Sequence, residues 1–296
     1  MKTTSKLGFS LIELSVVILV IGLLIIGITQ GSRIMGAAKL KSAFSLTTNS
    51  PVNSISGLAL WFETTDQSKI AAGATGAGTY GNFGNGSNVT DWKDRSDVQA
   101  NESIIVSAAA DNRRPTYITN GFNGLPVMRF DGSNNQLVSS SAVSSSRFMS
   151  DDKQISAFFV IKFAGANGRF LMRHDVTFGQ RINLGLNGGQ SNILLEYGGS
   201  NILSNGANLF SKISLVSIVK NPSTLNMYLN GALDYSTSTS ASNTSYSALL
   251  YIGSKNGNNY VNGDVAELIV FKRALTNSER KGIEAYLGAK WGIKVS

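Results

Sequence analysis

Asp91, Asp94 and Asp97 stand at three-residue intervals in the stretch DWKDRSD, and oxygen ligands at that density are of the kind that hold Ca2+. The same acids equally suit a solvated turn in which they pair with Lys93 and Arg95. Asp264 and Glu267, in GDVAEL, are the nearest approach to the carboxylate pair of glycoside hydrolysis, which must be held ~5–9.5 Å apart across a cleft. A turn and a strand edge account for them more simply. His174 is the one histidine, set in LMRHDV with no nucleophile motif in partnership. The lack of cysteine excludes disulfides, thiolate metal sites and cysteine nucleophiles. Literal matches to S-x-x-K at Ser150–Lys153 and to G-x-G-x-x-G at Gly76–Gly81 lack the partner motifs and the strand-to-helix context that give such patterns meaning. The chain is therefore expected to bind rather than to catalyse. Sugar binding commonly uses an exposed aromatic ring beside Asn, Asp or Gly. Tyr80, Phe83 and Tyr260, in Gly/Asn-rich stretches, are the candidates, whereas Trp61, Trp92 and Trp291 stand in runs that a fold would bury.

Glu13 poses a different problem. It lies inside GFSLIELSVVILVIGLLIIGI (Gly8–Ile28), and no other charge occurs between Lys6 and Arg33. Twenty helical residues span ~30 Å, the thickness of a hydrocarbon core, so one transmembrane helix is expected from Phe9 onward. A carboxylate at the centre of such a helix costs ~2.5–3.5 kcal/mol and calls for a partner or a function. The basic residues around this run also explain much of the net charge. Setting aside Lys2, Lys6, Arg33, Lys39, Lys41 and Glu13 reduces the formal +8 to +4, and no Lys/Arg-rich run remains, so no nucleic-acid partner is expected.

The order of these residues, a short basic leader, Gly8, Phe9 and then Glu13 four residues on, resembles the N-terminus of type IV prepilins and of the related pseudopilins of type II secretion. The resemblance covers about the first forty residues. It implies cleavage between Gly8 and Phe9 by a membrane prepilin peptidase, methylation of the new Phe9 amine, and a single-pass inner-membrane subunit whose C-terminal part faces the periplasm or the exterior. It also implies assembly with other pilin or pseudopilin subunits through inner-membrane machinery. In a filament core the Phe9 ammonium and Glu13 would each be costly alone and tolerable as a pair between subunits, where they would fix axial register.

The rest of the chain has to build whatever such a subunit displays. A helical pattern continues past Arg33 through Leu40 and Phe44 until Pro51 stops it, which divides the chain into a leader (1–8), an N-terminal helix (9–46), a linker (47–56) and a head (57–296). In the head, apolar runs such as LALWFE, LPVMRFD, ISAFFVIKF, ISLVSIVK and AELIVFK recur between Gly, Asn, Ser and Asp clusters, the pattern of an antiparallel β-sandwich. Asn230-Gly231, between LNMYL and ALDYS, predicts a type I′ hairpin turn. TNSERKGIEAYLGAKWG predicts the one helix of the head, with a capping box at Thr276 and Glu279 and a stop at Gly292.

The head runs VTDWKDRSD, NGLPVMRFDGSNNQL, MYLNGA and YIGSKNGNNYVNGDVAELIVFKRALTNSERKGIEAYLGAKWGI are similar to bacterial laminin G-like members of the concanavalin A-like lectin/glucanase group. This resemblance implies a mainly β fold, a two-sheet jelly roll with a C-terminal helix, and a possible Ca2+ on loop carboxylates. The closely alternating acids of the group's glucanase branch are absent. The expectation is a minor pilin-like subunit whose head binds a glycan or a surface protein, minor because a head of ~240 residues on every subunit would crowd a close-packed filament. A secretion pseudopilin is the first alternative and a membrane-tethered carbohydrate-active enzyme the second.

Overall fold

The computed structural model describes residues 11–296 apart from 75, 82, 97–102, 149–153, 166–169, 178–179, 187–191, 198–199, 205–208, 210, 240–246 and 255–258. At 26–30, 32–33, 170–177, 180–182, 186, 197 and 200 the description is of the backbone. The chain divides into two units, Met1–Ser42 and Ala43–Ser296.

The first unit is occupied by α1 (Leu11–Thr48), whose last turns, from Ala43, belong to the second. Leu, Ile and Val surround the helix without an amphipathic face, and the large apolar side chains described are exposed, from Leu11 at 88% to Ile25 at 56%. Among the described residues no helix is long and apolar enough to cross a membrane. The transmembrane span expected from Phe9 to Ile28 is thus not shown, because its ends fall outside the side chains described. Gly8 and Phe9 lie outside the described residues, and Glu13 sits in the first turn of α1.

In the second unit the strands follow in chain order: β1 (Leu58–Glu63), β2 (Ile70–Ala72), β3 (Thr79–Tyr80), β4 (Ser87–Lys93), β5 (Ile105–Ser107), β6 (Thr116–Ile118), β7 (Val127–Asp131), β8 (Leu137–Ser139), β9 (Val143–Ser144) and β10 (Ile155–Phe163). They continue as β11 (Phe170–Thr177), β12 (Gln180–Leu186), β13 (Ile193–Tyr197), β14 (Ser200–Leu203), β15 (Ser214–Lys220), β16 (Thr224–Leu229), β17 (Ala232–Ser238), β18 (Ser247–Ala248), β19 (Leu250–Ile252) and β20 (Asn262–Phe271), before α2 (Asn277–Trp291).

All pairings are antiparallel. The first sheet runs β17-β16-β15-β10-β20, and the far edge of β20 pairs with β7 over its first half and β1 over its second, with β6 and the start of β4 beyond β7. The second sheet runs β14-β13-β12-β11-β19-β8-β5-β4-β2-β3. Strand β4 passes from one sheet to the other, pairing with β6 at Ser87 and with β5 at Asp91. Phe62, Trp92, Met128, Phe159, Leu184, Leu250 and Leu268 fill the space between the sheets. Trp61, Phe158, Val160, Ile269, Ile283, Leu287 and Trp291 form a second core between the first sheet and α2. The first sheet is therefore buried on both faces, which is why β10 reads as a continuous apolar run rather than an alternating one.

The local signals act where the sequence places them. Asn230 and Gly231 have φ of 50° and 84°, as a type I′ turn between β16 and β17 requires. Thr276 and Glu279 form a reciprocal capping box, and Gly292 closes α2 in the left-handed region at φ 70°.

The segment 47–56, expected as a linker, is packed structure. Thr47, Ser50 and Val52 are buried, Ala43 and Val52 join the core under α2, and Ile55 packs against it. The Asn53 amide reaches back to the Thr47 and Thr48 carbonyls at 3.2 and 2.8 Å, satisfying acceptors that the end of α1 leaves open. Short polar residues and a proline suggested a tether, but apolar Ala43, Val52 and Ile55 stand at positions where the sheet-covering helix needs them.

Candidate functional site

Glu267 is re-aimed by a β-bulge. In the β10–β20 register Val160 faces Glu267 and Ile161 faces Val265, so Ala266 is the extra residue. Val265, Leu268 and Val270 face the inter-sheet core, whereas Ala266, Ile269 and Phe271 face α2. Glu267 joins the helix side with its register partner Glu63.

There the two acids and Lys290, all 0–2% exposed, form one polar network. The Lys290 ammonium donates to Glu63 at 3.1 Å, Glu267 at 3.0 Å and the Thr47 hydroxyl at 2.7 Å. Glu267 also accepts the indole N–H groups of Trp61 and Trp291 and the Tyr286 hydroxyl, each at 2.8 Å. Glu63 accepts from Thr65 and from Arg95 at 3.1 Å. Burial pushes the Glu63 carboxyl up, but Lys290, Thr65 and Arg95 outweigh it and hold the group below the usual carboxylate range. Burial beside Glu267 and Glu63 raises the Tyr286 phenol well above its ordinary value. Each carboxylate oxygen has a donor and both acids are buried, so the network ties α2 and the end of α1 to the first sheet.

Glu267 was expected at a strand edge and is instead central and buried, because the bulge turns it toward the helix. Asp264, three residues earlier, is clamped by Arg129 through two hydrogen bonds of 2.7 and 3.0 Å. The two acids thus hold different partners and share no cleft. The tryptophans are all buried, as their runs imply.

The acids of DWKDRSD also part company. Asp94 accepts from the Trp61 and Ser96 amides at 2.8 and 2.9 Å, from the Ser96 hydroxyl at 2.6 Å and from Arg147 at 3.1 Å. It closes the free edge of β1, and burial raises its carboxyl above the ordinary value despite those donors. Asp91 points the other way, accepting from the Ser107 and Thr90 hydroxyls at 2.5 and 2.9 Å. Asp97 lies outside the described residues. Among the described residues no group of three or more acidic, His or Cys side chains is placed to hold a metal ion. Asp91 and Asp94, two of the three acids expected for Ca2+, do not converge, because strand alternation sends them to different neighbours.

Of the three aromatic candidates, Phe83 packs edge-on against buried Tyr117 at 4.8 Å and is partly buried against the core. The Tyr260 hydroxyl accepts from Arg113 at 3.0 Å. Tyr80 is 43% exposed, and burial together with the charge of Asp91 raises its phenol. The side chain of His174 lies outside the description.

Tyr80 and Asp91 belong to a larger arrangement. Register places Tyr80, Ala71, Asp91, Ser107, Val138, Tyr251, Arg173, Asn183, Glu196 and Asn201 in one row across ten strands of the second sheet. Their chain neighbours Trp92, Val106, Leu137, Leu250, Leu184 and Leu195 all enter the inter-sheet core, so the described side chains of the row lie on the outer face. Tyr80 and Asn201 at the ends are exposed, Asp91, Ser107 and Tyr251 are half-buried, and the Asn183 amide is buried on Glu196 at 2.9 Å. The exposed and half-buried polar groups of the row, on Tyr80, Asp91, Ser107, Tyr251 and Asn201, can donate to and accept from a hydroxylated or peptide ligand laid across the strands, which lie about 4.8 Å apart. Sequence reasoning found Tyr80 and Asp91 separately and missed the rest, since partners 5 to 113 positions apart become neighbours only through pairing.

Residues 131–279, half of the chain, match the laminin G-like family described as the concanavalin A-like lectin/glucanases superfamily. Among solved structures, the binding domain of Paraclostridial Mosquitocidal Protein 1 superposes with a TM-score of 0.50 at 13% identity, over 82% of this chain and 56% of that one. A Trypanosoma rangeli sialidase follows at TM-score 0.48 and 12% identity over 79% and 33% of the two chains, and a heptameric SAP-like pentraxin from Limulus polyphemus at 0.40 and 15% over 52% and 78%. The chain spans about a third of the sialidase and about half of the toxin binding domain, and at these identities the likeness is one of fold. No curated protein sequence matches it significantly. On the family match over half its length, and with a two-sheet antiparallel sandwich that fits it, the chain belongs to the concanavalin A-like lectin/glucanases superfamily.

Proposed function

We propose that this chain is a type IV pilin-like subunit, a minor one, whose sandwich head binds a glycan or a surface protein on the outer face of the second sheet. The observation that carries the binding role is the row from Tyr80 to Asn201, polar at eight of its ten positions, set against a first sheet whose two faces are both occupied by cores. Catalysis is not part of this reading. Glu63 and Glu267 share Lys290 in a sealed network, and Asp264 is held by Arg129.

The filament role rests on the resemblance of the N-terminal residues and on α1, an apolar helix whose described side chains need a partner in lipid or in neighbouring subunits. Prepilin peptidase would cut at Gly8 and Phe9, and Glu13 would pair with the Phe9 ammonium of a neighbour. Before assembly the subunit would be held in the inner membrane with its head in the periplasm.

The test has two parts. Mass spectrometry of this protein from filaments sheared off its native cells should recover a methylated Phe9 terminus at low stoichiometry. Recovery only from the envelope would replace the pilus with a secretion pseudopilus. Glycan and surface-protein screening of the head should find a ligand whose binding falls about tenfold in Tyr80→Ala or Tyr251→Ala. A ligand bound equally by both variants would move the site off this face.

A further inference from the structure

A cleft of about 480 Å³ opens elsewhere on the head, between the start of β1, the start of β5 and the chain from β8 to β9. Its size falls within the range of ~300–1,000 Å³ usual for small-ligand pockets. Leu58, Ile104, Ile105 and Val143 supply an apolar wall against which the C–H face of a sugar ring can rest. A run of serines also lines the cleft. Ser139 is fixed, donating to the Ser141 carbonyl at 2.8 Å and accepting from the Leu250 amide at 3.0 Å, and it holds the exposed Ser140 and Ser141 hydroxyls at the rim.

Among the described residues the charge in this cleft is one-sided, and no carboxylate lines it. Arg147 is committed to the Ala59 carbonyl and to Asp94, whereas Lys272 is exposed and makes no ion pair among the described residues. The requirement is thus for a ligand with one apolar face, several hydroxyls and a single negative charge.

We infer that this cleft is a second ligand site, separate from the polar row of the second sheet, and that it takes a monosaccharide unit carrying a carboxylate. The carboxylate meets Lys272, the ring lies on Ile105 and Val143, and the hydroxyls meet Ser140 and Ser141. This assignment does not depend on the row across the second sheet.

Saturation-transfer NMR on the full chain in detergent tests it, with sodium glucuronate, methyl glucoside and inorganic phosphate as probes. Glucuronate should bind, the neutral glucoside at least about tenfold more weakly. Lys272→Glu and Ser141→Trp should each weaken glucuronate by about tenfold or more, at exposed positions where thermal unfolding is unchanged, and Tyr251→Ala should leave it intact. Equal binding of glucoside and glucuronate, or glucuronate binding that survives both cleft variants, would overturn the site. Phosphate competing as well as glucuronate would overturn the sugar assignment and leave an anion site.

Discussion

Glu63, Glu267 and Lys290 form a charged cluster buried in the head. A buried ion pair adds little net stability over apolar residues of the same volume, but removing one partner leaves an uncompensated charge and costs about 3–5 kcal/mol. Lys290→Met is expected to lower the unfolding free energy by about that amount, because two facing carboxylates lose their shared cation; urea denaturation measures it. A loss below about 1 kcal/mol would mean that water or another cation reaches the site. At this scale the sequence was partly legible. The three tryptophans could be placed in the interior from their apolar neighbours, but their indole N–H groups need acceptors, and nothing local shows that Glu267 serves two of them. The acid's direction depends on Ala266 being a bulge residue, a property of the β10–β20 pairing.

At the scale of elements, α2 and the β16–β17 hairpin carry their instructions within a few residues. The Glu279 carboxyl is held down to about 2 from an ordinary 4.5, chiefly by its hydrogen bond from Arg273 and also by the Thr276 amide and hydroxyl. A depressed carboxylate stabilises the fold fully above its unfolded value and loses that contribution as pH falls through the folded one. The Tm difference between the wild type and Glu279→Gln should therefore be largest above about pH 5 and shrink between about 4.5 and 2. Thermal melts followed by circular dichroism across that range check it, and a pH-independent difference would assign the effect to something other than the capping charge. Gly231 makes the second element-scale prediction. Its φ of 84° strains any side chain, and an added Cβ would lie 3.0 Å from the Ser296 backbone. Gly231→Val should cost more than about 1 kcal/mol, measured by the same denaturation.

For the whole molecule the boundary of the head is the main revision. Thr47 accepts from Lys290 and bonds the Tyr286 hydroxyl at 3.3 Å, so the end of α1 is part of the head rather than a tether to it. Thr47→Val should destabilise the head by about 1–3 kcal/mol by leaving a buried ammonium short of an acceptor. An unchanged unfolding midpoint would restore a free linker. Under the proposed filament role, Glu13→Ala should allow cleavage at Gly8 but impair incorporation, read as the ratio of filament to envelope protein. Normal incorporation would remove the register role given to Glu13.

The sequence alone determined what depends on neighbours in the chain: the alternation of strands and turns, the Asn230-Gly231 hairpin, the cap and stop of α2, and a family assignment carried by its closing stretch. Periodicity and φ preference are local properties, so a few residues suffice to declare them. Tertiary structure decided which polar residues meet. It turned Glu267 inward through a bulge, sent Asp91 and Asp94 to different neighbours, packed 47–56 under α2, and aligned Tyr80 with Asp91, Tyr251 and Glu196 across ten strands. Strand register and burial arise from pairing between residues up to some two hundred positions apart, and no short stretch of sequence contains them.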